Sequence, residues 1–382
     1  MDVAGTINWD QLRELAGFRA EKRGAISLYL NLDPHDVPTA GDAQTKMKSL
    51  LAEAERQLAE RKGSLARQAR EALTADVERI GRWFDHDFDR DGVRGVAVFA
   101  SALDNFWTTV AAPDPLDDEV KIGGDLYLAP LARLVGRGEG VLVAFVGRER
   151  GQVYRLRGGQ LVELADHTEE APGQHDQGGW SQARYGRHIE NLVGQHLRRV
   201  ADTLDTSVRK LRGVRVVLVG AEDIRSDFEA LLSKEVKACL VGWAAAEAHA
   251  DATQLLAAVK PVLVEWWAGR EQELLERWRE EAGKNGRATA GWEQTLEAAS
   301  DGRVDILLVR DGADQGAYQC PACGRAQIAD GSCPLDGTTL ERRDEGLDVA
   351  VHQTLSHGGT VHVIRDRRDL EPVGGVGALL RY

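Results

Sequence analysis

Short valine-rich runs alternate with amphipathic helical stretches through the middle of the chain. That alternation limits the fold more than any other feature. Residues 140–146 and 213–220 read as buried strands. Between them, Ile189, Val193, Leu197, Val200 and Leu204 recur every three or four residues, which predicts a long helix with one buried face. A helix over 221–234 and a short strand over 238–241 follow. Strands separated by helices need crossover connections, so this region is expected to form a partly parallel sheet covered by helices. Residues 152–156 and 160–164 alternate in polarity around Gly158-Gly159, which predicts a tight hairpin.

At roughly 100–200 residues per domain, 382 residues predict two or three domains. The boundaries fall at 1–125, 126–270 and 271–382. The first segment reads as a mixed α/β unit with strands over 25–32, 93–100 and 106–111. Its helices cover 42–61 and a stretch that Ser64 can cap, ending near Phe84. Residues 112–124, with two prolines, two glycines and an acidic run, read as a linker. A long helical stretch over 251–281 contains Pro261. The third segment reads as α/β/α. Its helices cover 289–299 and 345–357, its strands 304–309 and 360–364, and a Cys-rich insertion spans 319–337.

Hydrophobic residues make up 43% and charged residues 29% of the chain, as in a globular protein. No apolar stretch approaches the ~20 residues that cross a bilayer, so no membrane partner is expected. The N-terminus lacks a basic segment followed by an apolar core, so the cytoplasm is the expected location. The net charge of −13 argues against a chain coated in nucleic acid and favours a scaffold without RNA. One region differs. Residues 182–215 hold eight basic and three acidic residues, a local balance of +5. An acidic protein can dock to RNA through one such element.

Three of the four cysteines, Cys320, Cys323 and Cys333, fall within fourteen residues. Cys320-Pro321-Ala322-Cys323-Gly324 is a zinc-knuckle half-site, because a Cys-x-x-Cys turn ending in Gly sets two sulfurs around one tetrahedral ion. Cys333-Pro334-Leu335-Asp336-Gly337 repeats the form with a carboxylate at the last position. Cys320, Cys323, Cys333 and Asp336 are therefore expected to hold a structural Zn2+. A redox pair should open a helix after a strand, whereas this one sits in a loop excursion. Cys239 is expected to be a core residue.

The segment 172–185 is a long polar loop with a glycine pair, ending in Gly178-Gly179-Trp180-Ser181-Gln182-Ala183-Arg184-Tyr185. It runs into the basic helix and is long for a strand-to-helix connection. This arrangement resembles the central domain of archaeo-eukaryotic class-one release factors and of Pelota, above all the bacterial members of that family. There a Gly-Gly-Gln loop precedes a Ser-Ala-x-Arg-Phe-type helix start. The two glycines, Ser181, Arg184 and Tyr185 match in order, and the likeness extends over roughly 126–382.

The resemblance implies a ribonuclease-H-like central domain and a ribosome-binding translation factor. Such a factor occupies the A site with its Gly-Gly loop at the peptidyl-transferase centre, in hibernation or rescue. It implies loop contacts from His175, Gly178, Gly179, Trp180, Ser181 and Gln182 and RNA contacts from Arg184, Arg187, Arg198 and Arg199. It implies the ribosome, its rRNA and tRNA as partners, and allows a GTPase elongation-factor partner. Peptidyl-tRNA hydrolysis is the alternative, but Trp180 stands where those factors carry the motif Gln, and no catalytic residue is assigned. The literal Gly158-Gly159-Gln160 reads as the hairpin turn.

Overall fold

The computed structural model describes residues 9–20, 24–63, 65–90, 92–112, 114–138, 140–157, 160–168, 182–211, 213–284, 286–365 and 367–382. Of residues 62, 136–138, 157 and 182–189 it describes the backbone only. The protein is mixed α/β with several sheets. Its contacts divide it into two compact units. One joins Met1–Gly138 to Glu271–Tyr382, and the other is Glu139–Arg270.

The N-terminal part of the first unit runs α1 (Trp9–Ala16), β1 (Ala25–Asn31), α2 (Ala40–Glu60), α3 (Arg67–His86), β2 (Gly95–Ser101), β3 (Phe106–Ala112), β4 (Glu119–Gly123) and α4 (Ala129–Gly138). The strands form an antiparallel sheet in the order β3-β2-β1-β4. Strand alternation sends Ile26, Leu28 and Leu30 to one face, against Met47, Leu73 and Ile80 of the helices. Tyr29, Ala97 and Phe99 face the other way. Thr39 starts α2 with a capping box. Its hydroxyl accepts from the Asp42 amide at 3.1 Å, and the Asp42 carboxylate accepts from the Thr39 amide at 3.0 Å.

Residues 112–124 are not all linker, because Val120 and Ile122 alternate inward and β4 completes the sheet beside β1. Ala66 stands at the N-cap of α3 without a side-chain cap bond, and Ser64, expected to cap it, lies outside the described residues. Residues 129–138 form a helix whose Leu131, Ala132 and Val135 enter the core of this unit.

The second unit runs β5 (Val141–Val146), β6 (Gly151–Arg157), β7 (Gln160–Asp166), α5 (Gln182–Lys210), β8 (Arg215–Gly220), α6 (Glu222–Leu231), α7 (Lys234–Cys239), β9 (Leu240–Ala245) and the start of α8 (Ala252–Gly283). The sheet order is β7-β6-β5-β8-β9. β5, β8 and β9 are parallel and β6 and β7 antiparallel, as the alternation of strands and helices requires. Leu142, Ala144, Val216 and Leu218 pack against α5 and α6. Val143, Phe145, Val217 and Val219 pack on the other face against Leu255, Val259 and Leu263 of α8. The helix expected over 221–234 ends at Leu231, and a second helix, α7, capped by the Ser233 hydroxyl, takes the start of the strand expected over 238–241. Cys239 ends α7 and is only partly buried.

The remainder of the first unit contributes β10 (Ala288–Ala290), α9 (Trp292–Ser300), β11 (Val304–Arg310), β12 (Ala317–Gln319), β13 (Ala326–Gln327), β14 (Glu341–Arg343), α10 (Gly346–Ser356), β15 (Thr360–Ile364) and β16 (Val376–Leu380). Its main sheet has the order β10-β16-β11-β15, with β11 and β15 parallel. Thr289 lies in β10 rather than in a helix, and its carbonyl accepts from the Trp278 indole at 2.8 Å. α9 and α10 cover one face, where Leu296, Leu307 and Val351 share a core with Leu12, Tyr29, Phe99 and Leu128 of the N-terminal part. Leu274, Leu275 and Trp278 of α8 cover the other face. Strands β12, β13 and β14 form a separate small sheet that carries the cysteines. No helix among the described residues is long and apolar enough to cross a membrane.

Candidate functional site

In the second unit, the start of the glycine-rich connection is fixed at the end of β7, and residues 169–181 lie outside the described residues. β6 and β7 pair antiparallel as far as Arg157 opposite Gln160, while Gly158 and Gly159 lie outside the described residues. At the far end of β7, the Asp166 carboxylate accepts from the Thr168 amide at 2.8 Å and from its hydroxyl. The Thr168 hydroxyl is the main reason that carboxyl is held below its ordinary value. The His167 amide donates to the Gly151 carbonyl at 2.7 Å, and its ring Nε2 lies 2.8 Å from the Thr203 hydroxyl on α5. These contacts tie the start of the loop to the helix that ends it.

Beneath them runs a polar network. The Gln152 carbonyl oxygen accepts from Arg150 at 2.6 Å and from the Tyr154 hydroxyl at 2.7 Å, while its amide donates to Glu163 and Asp166. α5 packs on the sheet with Leu197, Val200, Ala201 and Leu204. It approaches β6 so closely that a Cβ on Gly151 would lie 2.3 Å from Val200 Cγ2. Only glycine permits that contact.

The loop residues expected to act, His175, Gly178, Gly179, Trp180 and Ser181, lie outside the described residues. Gln182, Arg184 and Arg187 lie in the first turns of α5, where only the backbone is described. Arg198 and Arg199 are exposed, on the side of α5 opposite Leu197 and Val200. His167, Thr203 and Gly151 escaped the sequence reading. The only sequence signal for them is position, at the two ends of the hairpin and under the basic helix.

In the first unit, Cys320, Cys323, Cys333 and Asp336 come together, with all four potential ligand atoms within 4.8 Å of one another. Two matching turns build the cluster. The Gly324 amide donates to the Cys320 carbonyl and the Gly337 amide to the Cys333 carbonyl, each at 2.9 Å. Gly324 and Gly337 both adopt positive φ, 81° and 74°, which favours glycine. Cys320 Sγ lies 3.5 Å from Asp336 Oδ2, and Cys323 Sγ lies 3.5 Å from Cys333 Sγ. Bonds of about 2.3 Å to sulfur and 2.0 Å to oxygen at tetrahedral angles place sulfur and oxygen roughly 3.5 Å apart and two sulfurs roughly 3.8 Å apart. The donor set therefore fits one tetrahedral ion.

The electrostatics agree. Bonds from the Thr338 amide and hydroxyl hold the Asp336 carboxyl down at about 2, so it is ionised and ready to ligate. The Cys323 thiol is pushed up to about 11. The Arg325 amide lowers it, but partial desolvation of the sulfur and the neighbouring Cys320 and Cys333 sulfurs outweigh that bond. Three thiols this close resist joint ionisation unless a cation sits among them.

Residues 127–262 match the model of bacterial archaeo-eukaryotic release factor family 10. Peptide chain release factor subunit 1 of Archaeoglobus fulgidus is 22% identical over 97% of this chain and 96% of its own length. The same subunit of Thermoplasma acidophilum is 22% identical over 75% of each chain. These matches bear out the resemblance to a bacterial archaeo-eukaryotic release factor family. Two solved structures are similar at 16% identity. One is the crystal structure of archaeal translation termination factor aRF1, covering 98% of this chain and 99% of that one, with a TM-score of 0.28. The other is a model of ribosome-bound archaeal Pelota and ABCE1, covering 75% and 77%, with a TM-score of 0.41.

Proposed function

We propose that this protein is a ribosome-binding translation factor of the release-factor and Pelota type. The observation that carries the reading is the family match over 127–262. It covers the mixed sheet, the basic helix α5 and the connection whose start Asp166, His167 and Thr203 secure. In this reading the segment with Gly178 and Gly179 reaches the peptidyl-transferase centre from the A site. Arg184, Arg187, Arg198 and Arg199 meet rRNA phosphates behind it, and Trp180 and His175 stack on bases. The named function of the archaeal relatives as chain release factors supports placing the chain in translation.

Trp180 in the position of the motif Gln favours hibernation or rescue over hydrolysis. An indole offers no amide to orient water beside a developing oxyanion. The Cys320, Cys323, Cys333 and Asp336 cluster would hold a structural zinc that stiffens the third segment. The family resemblance supports rRNA and tRNA as contacts, a GTPase elongation-factor partner and a cytoplasmic setting.

Co-sedimentation with 70S ribosomes across a salt series tests the reading. Binding that falls steeply with salt, and that weakens in Gly178→Ala, Gly179→Ala and a double Arg198→Glu, Arg199→Glu variant, is the expected result. No ribosome binding at low salt would refute it. Release of peptide from peptidyl-tRNA by the unmodified protein would replace hibernation by hydrolysis.

A further inference from the structure

Two buried glutamines connect the cysteine turn to the segment that joins the N-terminal sheet to α4. The Gly324 carbonyl accepts from Gln353 Nε2 at 2.7 Å and from Gln319 Nε2 at 3.2 Å. Gln319 Oε1 accepts from Arg343 Nε at 3.0 Å, and the same guanidinium reaches Asp125 at 3.4 Å. Arg19 pairs with Asp125 at 3.8 Å, and its guanidinium lies so near Gly324 that a Cβ there would be 3.0 Å away. A cavity of ≈ 220 Å³ is lined by Arg19, Asp125, Gln319, Cys320 and Arg343, so a cysteine of the cluster and the connector share one space.

The same connector is gripped from α10. Asp348 Oδ1 accepts from the Leu128 and Ala129 amides at 2.7 and 3.0 Å, and His352 Nε2 meets the Leu126 carbonyl. Gln319 and Gln353 are each only 7% exposed. If the Gly324 turn opens, their amides stay buried without partners, so the strain passes to Arg343 and Asp125.

We propose that the Cys320, Cys323, Cys333 and Asp336 cluster is a thiol-redox clasp on residues 125–129. Loaded with its ion and reduced it holds the connector, and oxidised it lets go. The proposal rests on the metal reading of the cluster. Cys323 is exposed while Cys320 and Cys333 are buried, so a small oxidant reaches Cys323 first. With hydrogen peroxide, the Cys323 sulfur attacks one oxygen. An S–O bond forms, the O–O bond breaks, and the leaving oxygen departs as hydroxide, which solvent protonates to water. The Cys333 sulfur, 3.5 Å away, then attacks the sulfenic sulfur, so that the S–S bond forms as the S–O bond breaks, and the expelled hydroxide takes a second solvent proton to give water. Two electrons have passed from the sulfur pair to peroxide. Two of the four ligands are gone, and one sulfur and one carboxylate cannot retain the ion.

The test uses the full-length protein and hydrogen peroxide. Zinc release is followed with a chromogenic chelator, the disulfide by mass spectrometry, and the connector by amide hydrogen exchange over 124–135. The expected result is one zinc released as a Cys323–Cys333 disulfide forms, with exchange over 124–135 rising about tenfold, the factor that loss of one buried hydrogen bond gives. Thiol reductant with zinc should reverse all three. Gln353→Leu should keep its zinc yet exchange quickly before peroxide and no faster after it. Zinc release that leaves 124–135 unchanged overturns the clasp while sparing the metal reading. A zinc site untouched by peroxide overturns it too. Protein purified without zinc overturns both.

Discussion

Replacing Asp348 by Asn should stabilise the start of α4 at neutral pH, although it removes a charge from a helix N-terminus. Two effects oppose each other at this carboxylate. It accepts two amide bonds from Leu128 and Ala129, which favour the ionised form. Burial is the larger effect and pushes its pKa up to about 6 from an ordinary 3.8, against the opposing pull of His352. At 1.36 kcal/mol per pKa unit, that rise is worth about 3 kcal/mol between the two protonation states. Asp348 borders a polar cavity of ≈ 430 Å³, so solvent screening cuts the figure to about 1.5 kcal/mol.

The sign follows from linkage. The folded pKa lies above the unfolded one, so this contribution is fully present below about pH 4 and is lost as pH rises through about 6. Asn keeps the accepting oxygen and never ionises. Amide exchange over 124–135, corrected for intrinsic rates, measures the local opening free energy. The unmodified protein should lose about 1 kcal/mol between pH 4.5 and 7.5, and Asp348→Asn should show little change over that range. If the Asn variant opens more readily at pH 7.5 and keeps the pH slope, the charge on the helix end outweighs burial and the reasoning fails.

Gly151→Ala should destabilise the second unit by about 1–3 kcal/mol in thermal or chemical unfolding, because the new methyl meets Val200 and the His196 ring. An unchanged midpoint would mean that α5 yields freely. Trp278→Phe removes the bond to the Thr289 carbonyl inside the core and should cost about 1–3 kcal/mol, visible as faster exchange over β10 and β16. Zinc bound at pH 7.5 should be lost on acidification as the three thiolates take up protons, with Asp336 remaining ionised. Metal content that stays constant to pH 4 would argue against thiolate ligation. Cys323→Ser should lower zinc content well below one per chain, and equal content in both proteins would remove Cys323 from the site.

Much of this protein is written in short-range order. The strands at 140–146 and 213–220 and the helix bearing Leu197, Val200 and Leu204 stand close to where their periodicities place them, because side-chain direction repeats within a few residues. The cysteine cluster was legible for the same reason. Two Cys-Pro-x-x-Gly turns each fix their own donors, and only the meeting of the two turns needed the fold. The family likeness too was carried by one contiguous run, Gly178 to Tyr185. What the sequence could not supply was partnership at a distance. β4 looked like linker because the acids and prolines just before it outweigh Val120 and Ile122 locally, and it becomes a strand only because β1, some ninety residues earlier, offers it an open edge. Tyr29, Phe99 and Leu128 share a core with Leu296 and Val351 although some two hundred residues separate them along the chain. Nothing in either stretch encodes that meeting, since apolar burial is non-directional and accepts any surface of matching shape. The grip of Asp348 and Gln353 on the connector likewise exists only once the chain has folded back on itself.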